Sequence, residues 1–278
     1  MLKEAMKGSK NPFNIFAAIA YKIAFKKENP YFFDPSGTLV FCGSQGNGKT
    51  ISAVKYIVEL KKIYPRAIIV TNVAITPMPF NALLSFNDDG EPVYSFIDTE
   101  ETFTQEDIDS WTVKDLVFEY NGLKCLNYIE NTDKGVIYLI DEFHLELNSL
   151  ESTNIDIEVM TEISQQRKQR KHIVCTSQVF MRLAKPLREQ IKNVVLTKCF
   201  FGMIQYNKLI DGEESVEKDG KLQAVVKKRF FWFHHPDDWK LYNTYAKMKR
   251  YKKDWKGRSI QSNMLYQGTN ISVRSDKK

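Results

Sequence analysis

The chain has 278 residues, of which 40 are Lys or Arg and 34 are Asp or Glu, giving a formal net charge of +6. A hydrophobic fraction of 43%, with aromatics at 13%, is ample for a buried core and excludes a natively disordered chain. The length allows one large domain or one domain with a small appendage, and the mild basic excess permits a polyanionic partner without requiring one. Cys42, Cys125, Cys175 and Cys199 form no CxxC pair, and three of them fall in or beside apolar runs. That usage points to a reducing, cytoplasmic setting and no structural zinc.

Taken in chain order, residues 1–30 read as a basic amphipathic helix, with Phe13, Ile15, Phe16, Ile19, Ile23 and Phe25 set among lysines. Asn29-Pro30 closes it, since the residue before a proline avoids helix. Two readings stay open: a helix packed on the core, or one that meets a membrane surface or a docking partner. The run is too short to span a bilayer, is broken by Lys22 and has no small-residue cleavage site, so neither a transmembrane segment nor a signal peptide is expected. Thr38–Phe41 is a buried strand followed at once by a glycine-rich loop. Ile51–Ile63 is then a helix by the spacing of Val54, Ile57, Val58 and Leu60. Ala67–Val73 is a second strand. Residues 81–109 are polar and acidic, with Asn87-Asp88-Asp89-Gly90 as a turn, and read as an insertion. Val136–Ile140 and Ile173–Thr176 are a third and fourth strand, with a helix over Ile155–Lys171 between them. Buried strands alternating with helices predict an α/β fold, a parallel sheet covered on both faces. After Lys192, β-branched and aromatic runs at Asn193–Tyr206 and Gln223–Phe233 flank an acidic turn near Asp211–Gly220, a hairpin signal. The expected layout is a helix to residue 30, a core over 31–200, a hairpin and basic helix extension of the same domain over 201–258, and a polar, disordered tail over 259–278.

The loop Gly43-Ser44-Gln45-Gly46-Asn47-Gly48-Lys49-Thr50 satisfies G-x-x-x-x-G-K-[ST]. Glycines let successive backbone N–H groups turn inward around phosphate oxygens, Lys49 reaches the β/γ-phosphates, and the Thr50 hydroxyl is a ligand for Mg²⁺. The helix that follows adds its positive end. A chance match in this length is on the order of 1%, and the flanking strand and helix make chance rarer still. The loop therefore predicts binding of a nucleoside triphosphate. The third strand ends in Asp141 and Glu142. Asp141 would hold Mg²⁺ through water, and Glu142 would orient and deprotonate an attacking water, which favours a hydrolysing ATPase over a GTP switch. His144 either touches a phosphate or sensor or caps the next helix. Gln178, with Thr176 and Ser177 beside it, ends the fourth strand, where ligand groups gather in parallel sheets. It is a candidate γ-phosphate sensor or a plain strand-to-helix cap. Upstream, Gln165–His172 is strongly basic: either a solvated helix end or the source of an arginine finger, with Arg167 first, Arg170 second and Arg188 third.

A phosphate loop, an Asp-Glu strand end, an arginine eleven positions before a strand-terminal glutamine, and that glutamine form an ordered set. The set resembles the FtsK–HerA superfamily of P-loop motor ATPases. Within it, the chain is most similar to Zot-type morphogenesis ATPases of filamentous phages and to packaging ATPases of other small phages. The matching stretches are Leu39–Thr50, Ala67–Ile75, Val136–His144 and Arg167–Gln178, with Trp239–Tyr245 resembling the ending of Zot-type domains. The resemblance implies a P-loop NTPase fold of the RecA/ASCE type, a hexameric or pentameric ring, and a DNA or virion-assembly substrate. Zot-type domains commonly read Arg-His where this chain has Arg167-Lys168, which leaves the finger open between Arg167 and Arg170. They also usually carry a transmembrane segment after the ATPase domain. None is visible here, which favours packaging over export.

Lys247–Arg258 concentrates basic residues with Tyr251 and Trp255 between them, and Lys227-Lys228-Arg229 lies upstream. Such a run either meets phosphates and bases or is a solvated helix with its aromatics in the core. The leading expectation is an ATP- and Mg²⁺-dependent DNA translocase that packages a phage genome, with a capsid portal or other virion component as partner. The alternatives are an assembly or export ATPase acting at a membrane, and a helicase or conjugative coupling ATPase.

Overall fold

The computed structural model describes residues 13–35, 37–147, 157–212, 214–218 and 221–243. Its strands are β1 (Leu39–Cys42), β2 (Ile68–Thr71), β3 (Ala82–Phe86), β4 (Pro92–Phe96), β5 (Thr102–Phe103), β6 (Val117–Glu119), β7 (Val136–Ile140), β8 (Lys171–Ser177), β9 (Asn193–Phe200), β10 (Ile204–Asp211), β11 (Val216–Lys218), β12 (Lys221–Gln223) and β13 (Val226–Phe233). All but the small β11–β12 hairpin join one sheet in the order β13-β10-β9-β1-β8-β7-β2-β6-β3-β4-β5. From β9 through β3 every neighbouring pair is parallel. Antiparallel strands extend both edges. The register Cys42↔Ser177 brings the carboxyl ends of β1 and β8 level, Ile140↔Cys175 places the end of β7 beside them, and β9 runs on past Cys42 from Leu196 to Phe200. In a parallel sheet that end is where ligands are held.

Side chains alternate along a strand, so the wholly buried strands feed two cores. On one face Leu39, Phe41, Ile137, Leu139 and Val174 meet Ala53, Val54, Ile57 and Leu60 of a helix we number α2 (Lys49–Ile63); α1 spans Phe13–Glu28. On the other face Val40, Cys42, Tyr138, Ile140 and Cys175 meet residues of α4 (Cys125–Tyr128), α5 (Ile157–Gln165) and α6 (Lys185–Arg188), while α3 is the short Gln105–Asp109. Ile57 has no exposed surface. Truncating such a residue to alanine costs about 2–5 kcal/mol, which is the scale on which α2 is fixed to the sheet. The predicted α/β fold is thus present: a parallel sheet with helices on both faces.

Several expectations are corrected. The described part of α1 does not pack on the core. Ile15, Phe16 and Ile23 are 63%, 70% and 65% exposed, and only near its end does Phe25 meet an aromatic partner from the following segment, Phe32, edge-on. The acidic stretch at 81–109, read as an insertion, is built into the sheet. Its hairpin β3–β4 continues the main sheet through β6, a three-residue strand too short to show in the sequence. The run Asn193–Tyr206 is not one strand: the chain reverses at Phe201 and Gly202, both left-handed at φ 53 and 68, so β9 and β10 form the first hairpin and β13 is a third strand beyond the acidic turn. The helix expected to Lys171 ends at Gln165. β8 begins at Lys171 itself, whose buried side chain reaches Glu162 at 2.8 Å and the Leu126 carbonyl at 2.7 Å rather than solvent. All four cysteines are free, three of them buried, and burial raises the Cys42 thiol to about 12. Among the described residues no helix is long and apolar enough to cross a membrane. Residues 1–12, the basic run Lys247–Arg258 and the 259–278 tail lie outside the described residues.

Candidate nucleotide site

At the carboxyl end of β1 the chain turns through Gly43–Gly48 into α2. The Gly43 amide donates to the Ser177 carbonyl at 3.3 Å, and Thr197 Oγ1 donates to the Cys42 carbonyl at 3.1 Å, tying the loop's entry to both neighbouring strands. A Cβ at Gly43 would stand 2.5 Å from Thr197 Oγ1, so room dictates that glycine. Gly46 has open space but φ +79, so its backbone dictates it. Gly48 meets both demands: it caps α2 at φ +72, and a Cβ there would strike the Gln205 side-chain amide. Lys49 is 9% exposed and folds back over the loop, its Nζ 3.3 Å from the Ser44 carbonyl. The first amides of α2 have no side-chain cap, and free helix N-terminal amides favour an anion.

Across from the loop, Asp141 follows β7. Its Oδ1 accepts from Thr50 Oγ1 at 3.0 Å and from Thr176 Oγ1 at 2.5 Å. Asn72, just past β2, grips the same residue's backbone, accepting from the Asp141 amide at 2.8 Å and donating to its carbonyl at 3.1 Å. Thr176 also accepts from the Glu142 amide at 2.9 Å, and Glu142 holds a left-handed φ of 52. A non-glycine residue in that region is strained and persists because its surroundings hold it. Burial pushes the Asp141 carboxyl above its usual range, against the hydrogen bonds from Thr176 and Thr50 that favour its charged form. A hydroxyl and a carboxylate in contact are hard oxygen donors, the set that Mg²⁺ takes while keeping several waters, so Thr50 and Asp141 fit that ion. His144 lies buried in the next turn with Nδ1 unpaired among the described residues, and burial lowers its pKa. Gln178 follows β8 at the same end, its Oε1 accepting from Arg182 Nη1 at 3.1 Å.

No protein-family model and no curated protein matches the sequence. Among solved structures, the chain is similar to the N-terminal domain of zonular occludens toxin from Neisseria meningitidis, at 14% identity over 75% of this chain and 99% of that one, TM-score 0.47. It is also similar to the genome packaging NTPase B204 from Sulfolobus turreted icosahedral virus 2 in complex with ATP-gammaS, at 11% identity over 69% and 98%, TM-score 0.45. A third is the flagellar accessory protein FlaH from Methanocaldococcus jannaschii, at 10% identity over 73% and 95%, TM-score 0.36. In this chain the P-loop NTPase fold is defined by its own strand order, with β8 between the loop strand β1 and the Asp141 strand β7.

The arginines go elsewhere. Arg167 is exposed, with Nε 4.0 Å from Asp34, and the Arg170 guanidinium lies 4.0 Å over the Phe32 ring. Both precede Lys171, the first residue of β8, whereas the phosphate loop abuts Ser177, its last. At about 3.3 Å per residue, the strand separates them from their own loop by about 20 Å. Arg188, on α6, directs Nη1 to the Met181 sulfur at 3.1 Å. The structure therefore gathers Lys49, Thr50, Asp141, Glu142, His144, Thr176 and Gln178, and leaves Arg167 and Arg170 at the other end of the sheet. Sequence reasoning overlooked Asn72, Thr197, Gln205 and Arg182. Asn72 carries the signal of a polar residue at a strand's carboxyl end; the others depend on a hairpin register and a turn that the sequence does not announce.

Proposed function

We propose that the chain is an ATP-hydrolysing DNA translocase, the genome-packaging motor ATPase of a phage or similar virus. The observation that carries the hydrolase reading is the chain of contacts from Thr50 through Asp141 and Thr176 to Glu142 beside the phosphate loop. Loop amides from Gly43 to Gly48, with Ser44, Gln45 and Asn47 between them, and the Lys49 ammonium hold the triphosphate. Thr50 and Asp141 hold Mg²⁺, which when bound neutralises charge on the phosphate oxygens. Glu142 orients the attacking water and takes its proton on the carboxylate. Gln178, steadied by Arg182, reads the γ-phosphate. Since Arg167 and Arg170 stand about a strand's length from their own loop, a finger from either serves a neighbouring subunit, which supports a hexameric or pentameric ring. Translocation is supported by the superfamily resemblance and by the basic, aromatic-bearing run Lys247–Arg258. A motor needs phosphate contacts without a sequence code.

The test is ATPase activity of wild type and Glu142→Gln, with and without single- and double-stranded DNA. DNA should raise the wild-type rate, and the variant should be inactive while still binding ATP. An ATPase indifferent to both DNA forms would reject the motor and keep the hydrolase. Arg167→Ala should lose turnover and keep ATP binding; full activity in an isolated monomer would reject the trans finger. One observation favours a second reading, an assembly or export ATPase at a membrane: α1 exposes Ile15, Phe16, Ile19 and Ile23 beside Lys22, Lys26 and Lys27. Flotation with anionic vesicles together with DNA-independent ATPase activity would select it.

A further inference from the structure

The phosphate loop is steadied from outside by a hydrogen-bonded chain that begins at Trp239. Gln205 on β10 has no exposed surface, and its Nε2 donates to the Asn47 carbonyl at 3.0 Å and to Asn207 Oδ1 at 3.0 Å. Its Oε1 lies 3.3 Å from His234 Nε2, and His234 Nδ1 lies 3.1 Å from Trp239 Nε1. The polarity of the series is forced. An indole nitrogen only donates, so Nδ1 of His234 accepts and its Nε2 carries the proton. Gln205 Oε1 must then accept, which turns its NH₂ toward Asn47 and Asn207. Holding the Asn47 carbonyl outward aims the other side of the same peptide, the Gly48 amide, toward the interior of the loop, because a planar trans peptide points its C=O and N–H in opposite directions.

The segment carrying His234 and Trp239 is itself anchored. Asp238 pairs with Lys55 of α2 at 2.8 Å and accepts from the His235 amide at 2.8 Å. Trp232 stacks on His234 at 4.5 Å between centroids, with Lys55 Nζ 4.2 Å from the Trp232 ring. Farther on, Thr76 donates to the Leu241 carbonyl at 2.7 Å and the Lys240 carbonyl at 2.6 Å. The strap at 234–243 thus crosses the helix that follows the phosphate loop and reaches the connection after β2 that also carries Asn72.

We propose that Gln205 is a positioning residue of the phosphate loop, set by His234 and Trp239, so that displacing the strap loosens the nucleotide site. The proposal rests on the ATP-binding reading of the loop. Its test uses the full chain with ATP and Mg²⁺, measuring KM, kcat and the urea midpoint. Trp239→Phe keeps an aromatic ring and deletes the N–H; Gln205→Glu keeps the acceptor for His234 and replaces both donors by a carboxylate facing the Asn47 carbonyl. Because the loop amides hold phosphate in ground and transition states alike, the loss should fall on KM with kcat within about twofold. One hydrogen bond's net worth predicts about a fivefold rise in KM for Trp239→Phe, and Gln205→Glu should exceed it, at about tenfold or more. The urea midpoint of Trp239→Phe should match wild type, a split that a merely structural role would not give. A wild type that binds ATP beside two variants with unchanged KM overturns the proposal alone. A wild type that binds no nucleotide overturns the reading of the loop beneath it.

Discussion

Thr176→Val isolates the contact on which the hydrolytic end of the site depends. The Thr176 hydroxyl is buried, donates to Asp141 Oδ1 at 2.5 Å and accepts from the Glu142 amide at 2.9 Å. Valine fills nearly the same volume with a methyl group, so packing is kept and only these two bonds are lost. The bond to the carboxylate is worth about 1.5–3 kcal/mol, and loss of the part-buried bond from the Glu142 amide costs about 1 kcal/mol more. Glu142 sits at φ 52, a conformation this amide contact helps to hold, so its release lets the backbone relax and carries the carboxylate away from the place proposed for it beside the attacking water. If about 3 kcal/mol of the total appears in the barrier, kcat falls about a hundredfold. ATP affinity should stay within about threefold, because each bond of Thr176 goes to the Asp-Glu pair and none to the loop. Phosphate release at saturating ATP, with a fluorescent ATP analogue for affinity, separates the two. Thr176→Ser, which restores the hydroxyl, should recover most of the rate. A folded Thr176→Val protein with kcat within twofold of wild type, or a loss confined to binding, would refute the reasoning.

Gly46→Ala and Gly48→Ala should separate: the first meets open space and carries only left-handed strain of about 1–2 kcal/mol, while the second adds a collision with Gln205 and should lower the thermal midpoint more and weaken ATP binding. His172 is buried with Nδ1 2.7 Å from the Gly37 carbonyl and Nε2 3.0 Å from the Tyr56 hydroxyl, and burial lowers its pKa from 6.5 to about 4. Between those values the unfolded chain binds a proton that the folded chain refuses, so stability is complete above about pH 6.5 and falls by about 3 kcal/mol as pH drops toward 4; urea midpoints across that range should slope in wild type and flatten in His172→Phe. Lys171→Met should cost about 3–5 kcal/mol by stranding Glu162, and adding Glu162→Leu should return part of that loss, a non-additivity read from a double-mutant cycle in urea.

The strands that hold the site were legible because they are buried on both faces. Val136–Ile140 and the apolar middle of β8 are unbroken apolar runs, and the motif residues at their ends follow from that. Where structure depends on neighbours, the sequence is silent. Val117–Glu119 is a strand only because β2 and β3 lie beside it. Phe201 is no turn residue by type, yet it adopts the left-handed conformation that reverses β9 into β10, and missing it hid the register that brings Gln205 to Asn47. Lys171 reads as the end of a basic run until tertiary packing seals it against Glu162. The sequence places Arg167 eleven positions before Gln178, but only the parallel pairing of β1 with β8 tells at which end of the sheet Arg167 and Arg170 stand.

That last placement restricts how copies of the chain can meet. A protomer with its phosphate loop at one pole and Arg167 and Arg170 at the other is directional. A twofold dimer can set one pole against the other only with two protomers side by side and antiparallel, which pairs both sites at once and ends the assembly there. A heterologous, head-to-tail contact also joins loop to arginine, and it repeats until the rotation closes on itself or grows without limit. In the ring proposed above, closure then becomes a property that a single substitution at either pole could break, turning a finite particle into an open filament, and size distribution would be as direct a readout of the arginine pole as catalysis.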